Sequence, residues 1–228
     1  PGRIAPEPGN EIGALGRAPE GPIAGGIQLQ VDLADVRATG AAFDRLEARI
    51  AGRRFDKAVL VNNAGVVAPV DRLDRAEPAA LEANLVVNLV APIVLMRRFL
   101  QALATAATHR RVINISSGAG RRPIHGWGAY CAAKAGIDMA TRVAALEAQA
   151  AGTGVEVVSL APGVIDTAMQ GVIRGSRPEA FADVERFRQM KAAGELRDPG
   201  AVADDILRLE ASGRLFAEPV ADLRALGA

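Results

Sequence analysis

Tyr130 and Lys134 stand four residues apart, a spacing that puts both on one face of a helix. Tyr130 is the only tyrosine of the chain, and Lys134 is one of three lysines, with Lys57 and Lys191, among 27 basic residues. A free phenol holds its proton to a pH of about 10 and a lysine to about 10.4. An ammonium beside the phenol favours the phenolate. Bringing a tyrosine to about 7 takes ~3 units, or ~4 kcal/mol, which a charge in a partly dry cleft can supply. Such a phenol gives a proton to a carbonyl oxygen while the carbon is reduced, and takes it back in reverse. Ser117, thirteen residues earlier, has a hydroxyl suited to holding the same oxygen. By residue type alone, an idle helical Tyr–Lys pair and a turn or cap serine remain open.

A pair of this kind has to be presented by a scaffold, and the hydrophobic pattern describes one. Short aliphatic runs at residues 12–15, 27–31, 58–61, 112–115 and 155–160 read as strands. Helical stretches near 41–51, 79–104 and 128–151 separate them, and two more follow near 178–193 and 199–210. This alternation predicts an α/β fold, a doubly wound parallel sheet covered on both faces, with right-handed crossovers. The 228 residues suit a single domain, 1–228. Half of them are hydrophobic and only 4% aromatic, so the core is aliphatic. The segment from Pro162 to Pro178 is richer in glycine and polar residues and reads as a lid.

Other function classes are poorly served. A net charge of +1 offers no bulk attraction to nucleic acid or to an acidic membrane. The one cysteine, Cys131, excludes an internal disulfide and suits a reducing compartment, so a cytoplasmic protein is expected. His109 and His125 are far apart, and no metal site is expected. The apolar stretch 85–96 is too short for a membrane span, and Asn88 and Pro92 interrupt it. The opening residues lack the apolar segment of a signal peptide.

Ligands of open parallel sheets collect outside the carboxyl ends of the strands. There the sequence places Asn62, Asn63, Ala64 and Gly65, then Ser116, Ser117 and Gly118, then Ala161, Pro162 and Gly163. With these residues in view, the chain resembles the short-chain dehydrogenase/reductases from about Ile12 onward. Asn62 to Gly65 is similar to the family's N-N-A-G turn, and Tyr130-x-x-x-Lys134 to its catalytic pair with Ser117. Asn88 matches the asparagine that helps hold a water in the proton relay. Pro162, Gly163, Val164 and Thr167 match the loop that touches the nicotinamide. Gly126, Trp127, Asp166, Met169, Gln170, Phe187, Lys191, Gly194, Leu196 and Pro199 narrow the resemblance to the branch of sepiapterin and benzil reductases. The resemblance implies catalytic roles for Asn88, Ser117, Tyr130 and Lys134. It also implies cofactor contacts for Arg17, Asp32, Leu33, Asn63, Ala64, Gly65, Tyr130, Lys134, Pro162, Gly163, Val164 and Thr167. The implied activity is reduction of a ketone or vicinal diketone with NADPH, by a homodimer or tetramer. A 3-oxoacyl thioester reductase, an alcohol dehydrogenase and a catalytically silent nucleotide-binding or scaffold protein are the alternatives.

One family feature is absent. The first strand and the glycine-rich turn that brings amides to a pyrophosphate have no counterpart here. Gly9, Gly13 and Gly16 imitate the spacing, but Pro6 and Pro8 precede them and Pro19 and Pro22 follow. Residues 12–15 read instead as the family's second strand, with Arg17 placed to meet a 2′-phosphate, or equally a solvated loop arginine. Asp32 is the counterpart of an aspartate near the adenine, or equally a turn residue. The expectations are a native start upstream of Pro1, two bare strand edges or a new pairing, and weak NADPH binding by residues 1–228 alone.

Overall fold

The computed structural model describes residues 12–16 and 26–227. Its strands are β1 (Gly13–Gly16), β2 (Ile27–Gln30), β3 (Phe55–Asn62), β4 (Ala107–Ile115), β5 (Glu156–Ala161) and β6 (Val220–Asp222). Its helices are α1 (Val36–Ile50), α2 (Pro78–Leu85), α3 (Ala91–Ala102), α4 (Gly128–Ala150), α5 (Ala168–Arg174), α6 (Val184–Ala192) and α7 (Pro199–Ala211). All ladders are parallel, and the architecture is Rossmann-like.

The strands form two sheets, a four-stranded one in the order β3-β4-β5-β6 and a two-stranded one, β1-β2. No ladder joins β1 to β3 among the described residues, so both present an edge, as expected without a strand between them. One face of β3, with Ala58 and Leu60, packs onto the cluster of Phe43, Leu95, Phe99 and Val112. Its other face leaves Val59 and Val61 exposed, at 38% and 48%. The opposite side of the larger sheet closes with Ile113, Val158 and Leu160 against Val202, Leu209 and Leu215.

The smaller sheet is tied on through α1 rather than edge to edge. Asp35 caps α1 by accepting from the amides of Arg37 and Ala38, both at 2.9 Å. This cap starts the helix earlier than the hydrophobic periodicity alone indicated. Phe43 of α1 enters the main core, and Arg98 of α3 lies over its ring at 5.4 Å while bonding Glu47 at 3.1 Å. Leu15 of β1 packs against both this core and the cluster of Leu29, Val31 and Leu33.

The helix expected near 79–104 is α2 and α3 joined by a π turn, Val86–Val90. Pro78–Ala102 is 25 residues long and its most apolar 18-residue stretch has a mean hydropathy of 1.9, sufficient in length and composition to cross a membrane. This exceeds the apolar stretch read from sequence, because the alanines of α2 extend it. Here its buried face carries Asn84, Asn88, Leu95 and Phe99. The strand β6 was not anticipated; a three-residue strand ending in aspartate has too little pattern to stand out.

Candidate active site

The carboxyl ends of β3, β4 and β5 and the start of α4 bring Asn88, Ser117, Tyr130 and Lys134 together. Tyr130 lies in the first turn of α4 and Lys134 one turn on, both buried. The Lys134 Nζ donates to the Ile115 carbonyl at 2.8 Å and lies 5.5 Å from the Tyr130 ring centroid. Burial pulls the Lys134 ammonium down to about 8, and the nearby Asp138 carboxylate works against that fall. Burial pushes the Tyr130 phenol above its ordinary range, and Ser117 beside it pulls the other way. Ser117 also accepts from the Ala119 amide at 3.2 Å. Its cap role and its place beside the phenol therefore hold together.

Asn88 sits in the middle of the π turn, a departure from α geometry that recurs at functional sites. Its Oδ1 accepts from the Val66 amide at 3.1 Å, and its Nδ2 donates to the Val66 carbonyl at 2.8 Å. Asn84 donates to the carbonyl of Ala68 at 2.7 Å and to that of Val66 at 3.1 Å. The two asparagines thus clamp the loop after β3 onto the helix. At Gly65, a Cβ would stand 2.9 Å from Asn88 Oδ1 and 3.7 Å from Lys134 Nζ, so only glycine lets the loop come this close.

A second row of amides fixes the strands beneath. Asn62 donates to Asn114 Oδ1 at 2.8 Å, and Asn114 donates to Thr141 Oγ1 at 2.9 Å. Thr141 in turn donates to the Ile137 carbonyl at 2.8 Å. All three side chains are buried. Sequence reasoning did not single out Asn84, Asn114 or Thr141. A polar residue inside the apolar run 112–115 was the signal for Asn114.

The remaining expected contacts divide into two groups. Asn63 and Ala64 are exposed just beyond β3, and Pro162, Gly163 and Val164 follow β5. Gly163 has a φ of +90°. Thr167 is exposed and occupies the cap position of α5 without a side-chain cap bond. The segment read as a lid is anchored: Arg197 donates to the Val164 carbonyl at 3.1 Å, the Asp166 amide donates to that of Arg197 at 3.0 Å, and Gln170 and Ile173 are buried. Asp32 and Leu33 lie at the end of β2, away from the catalytic cluster in the sequence of strands. Asp32 accepts from the Ala34 amide at 3.0 Å, the turn role its residue type allowed. Arg17 and Gly9 lie outside the described residues. Gly13 and Gly16 are strand residues of β1, so no glycine-rich turn is formed there.

Next to Tyr130 is an aromatic cluster. Trp127 meets Tyr130 edge to face at 5.5 Å and stacks on Phe181 at 5.1 Å, with Phe187 at 5.8 Å. Trp127 is therefore packed into the fold, as well as adjacent to the phenol. Its Nε1, and the Oε1 of Gln170, are buried without a hydrogen-bond partner among the described residues.

This donor set fits the reactive half of a nicotinamide cofactor. The close approach at Gly65, the open backbone at Asn63 and Ala64, the uncapped Thr167 hydroxyl and an ammonium with one protein acceptor all point the same way.

The model of the family described as short chain dehydrogenase matches residues 23–177. A benzil reductase ((S)-benzoin forming) of Bacillus subtilis is 38% identical over 186 residues, covering 82% of this chain and 76% of that protein. A sepiapterin reductase of Meriones unguiculatus is 35% identical, over 68% of this chain and 58% of that protein. A metagenomic short-chain oxidoreductase solved in complex with NADP is 33% identical with a TM-score of 0.53, covering 71% of this chain and 66% of that one.

Proposed function

This chain belongs to the short chain dehydrogenase family, is an NAD(P)-dependent oxidoreductase, and we propose from that premise that it reduces a ketone or vicinal diketone with NADPH. The observation that carries the reading is the buried Tyr130–Lys134 pair, held at 5.5 Å with Ser117 facing the phenol.

Asn63, Ala64, Gly65, Pro162, Gly163, Val164 and Thr167, on the loops after β3 and β5, would hold the nicotinamide together with Tyr130 and Lys134, and the group would supply the hydride. Ser117 orients the substrate carbonyl oxygen, and Tyr130 delivers the proton to it. The Lys134 charge makes that proton easier to release. Asn88, clamped to the loop after β3, keeps the proton path to Lys134 in place. The aromatic cluster around Trp127 supplies an apolar wall, which suits an aryl or pterin substituent. The family relatives named benzil and sepiapterin reductase carry the same preference in their names.

NADPH rather than NADH rests on Arg17 and on the NADP held by the metagenomic relative. A homodimer rests on α4, whose outer face leaves Met139, Val143 and Leu146 exposed at 56%, 45% and 66%. A monomer by light scattering would overturn that part. The cytoplasm is the compartment that fits a lone free thiol. The deciding experiment follows NADPH and NADH consumption by the full natural polypeptide on diketones, pterins and acyl thioesters. Turnover of diketones supports the reading; preference for acyl thioesters moves it to a 3-oxoacyl reductase. No turnover on any carbonyl, in either direction, leaves the silent scaffold.

A further inference from the structure

Asp138 continues the row of Tyr130 and Lys134 one helical turn further, and it is 2% exposed. Its Oδ1 accepts from Ser159 Oγ of β5 at 2.6 Å, and its Oδ2 accepts from Arg121 Nε at 3.3 Å. Arg121 also donates to the Ala221 carbonyl of β6 at 2.8 Å. Arg121 ends the short loop that begins with Ser117. Within that loop, a Cβ on Gly120 would stand 2.8 Å from the Lys134 carbonyl, so the loop lies flat on α4 at the lysine itself. One carboxylate therefore ties together the serine loop, the helix of the Tyr–Lys pair, and β5, while Arg121 carries the tie on to β6.

From this arrangement we propose that Asp138, paired with Arg121, is a positioning residue for the reaction: it pins the Ser117 loop against α4 and its charge keeps Lys134 protonated. This rests on the reading of Tyr130 and Lys134 given above. Packing alone does not require a charge here, since an asparagine of the same shape also accepts from Ser159. A buried carboxylate one turn from a buried ammonium acts on that ammonium strongly, because little water screens it. The direction agrees with the opposition of Asp138 to the burial of Lys134. The charged and titratable groups around the pair are Tyr130 and Cys131 of α4, Arg121 of the loop, and Asp222 at the end of β6 with its partner Arg224. The π turn offers only the neutral Asn88.

The chain has one tyrosine, so tyrosinate absorbance in the near ultraviolet reports on the site without turnover. Asp138→Asn removes a negative charge, so the coupled Tyr130–Lys134 pair loses protons at lower pH, by about one unit. Arg121→Gln removes a positive charge at a partly exposed position, so the same titration moves to higher pH, by about half a unit. The pH profile of kcat/KM for carbonyl reduction moves with it, in the same two directions. Unmoved midpoints in both variants, or shifts of one sign, overturn the proposal and leave Asp138 a packing residue. If Asp138→Asn fails to fold, the sign of the Arg121→Gln shift decides alone. Absence of turnover in the unmodified protein would count against the proposed activity, while the tyrosinate titration still judges Asp138.

Discussion

The two sheets are made of similar aliphatic runs and end up in different circumstances. In β4 and β5, Val112, Ile113, Val158 and Leu160 are at most 2% exposed, with helices on both faces. No residue of β1 is fully buried, and the β1–β2 pair leans on the rest through α1. The groups assigned to proton transfer stand on the closed sheet. Asp32 and Leu33, assigned to the adenine end, stand on the smaller one. The groups assigned to proton transfer thus have a more deeply buried support than those assigned to the adenine end, and changes in one should leave the other measurable.

The largest expected effect isolates chemistry from stability. Tyr130→Phe should lower kcat by ~10³ while thermal unfolding hardly moves, since only the hydroxyl is lost. Comparable turnover would remove Tyr130 from the mechanism. The next change tests the unequal supports directly. Ile113→Ala, in the closed sheet, should cost ~3–4 kcal/mol in denaturant unfolding. Leu15→Ala, in a partly buried strand, should cost about 1–2 kcal/mol. Equal costs would show that the small sheet is as firmly built as the large one.

A smaller effect has the opposite sign. Lysine in the unfolded chain keeps its proton to about 10.4, whereas folded Lys134 loses it near 8. Between those values the unfolded state binds more protons, so stability rises with pH across that window. The penalty is complete below pH 8 and disappears above the unfolded value. Lys134→Met should therefore be more stable than the parent at pH 7, by up to ~3 kcal/mol less the lost bond to Ile115, and the gain should fade toward pH ~10. A gain independent of pH would assign it to packing instead. Such a variant should also be inactive, with stability bought at the expense of function.

Much of this was legible in the residues. The order of the first five strands and of the helices α1 to α4 follows from patterns along the chain, the grouping of Asn88, Ser117, Tyr130 and Lys134 was implied by the family resemblance, and the bare edges at β1 and β3 are one of the two expected outcomes. What was not legible depends on partners far apart in sequence. Asp138 reads as an ordinary helical aspartate until Arg121 and Ser159 close on it. Asn114 reads as an interruption until Asn62 and Thr141 complete its bonds. The reading of Asp32 as turn or ligand stayed open for the same reason, because an Asx turn is local and a nucleotide contact is not. The π turn was not read from the sequence, since Val86–Val90 is apolar on nearly every side and hides the change of phase.

That shift has a genetic consequence. A π turn accommodates one residue more than the α turn it replaces, and each residue turns an α-helix by about 100°. Upstream of Val86–Val90 the helix must aim Asn84 at the loop after β3; downstream it must aim Leu95 and Phe99 at the core. The turn joins the two halves in one continuous rod. Deleting a single codon in this stretch would rotate one half against the other by about 100°.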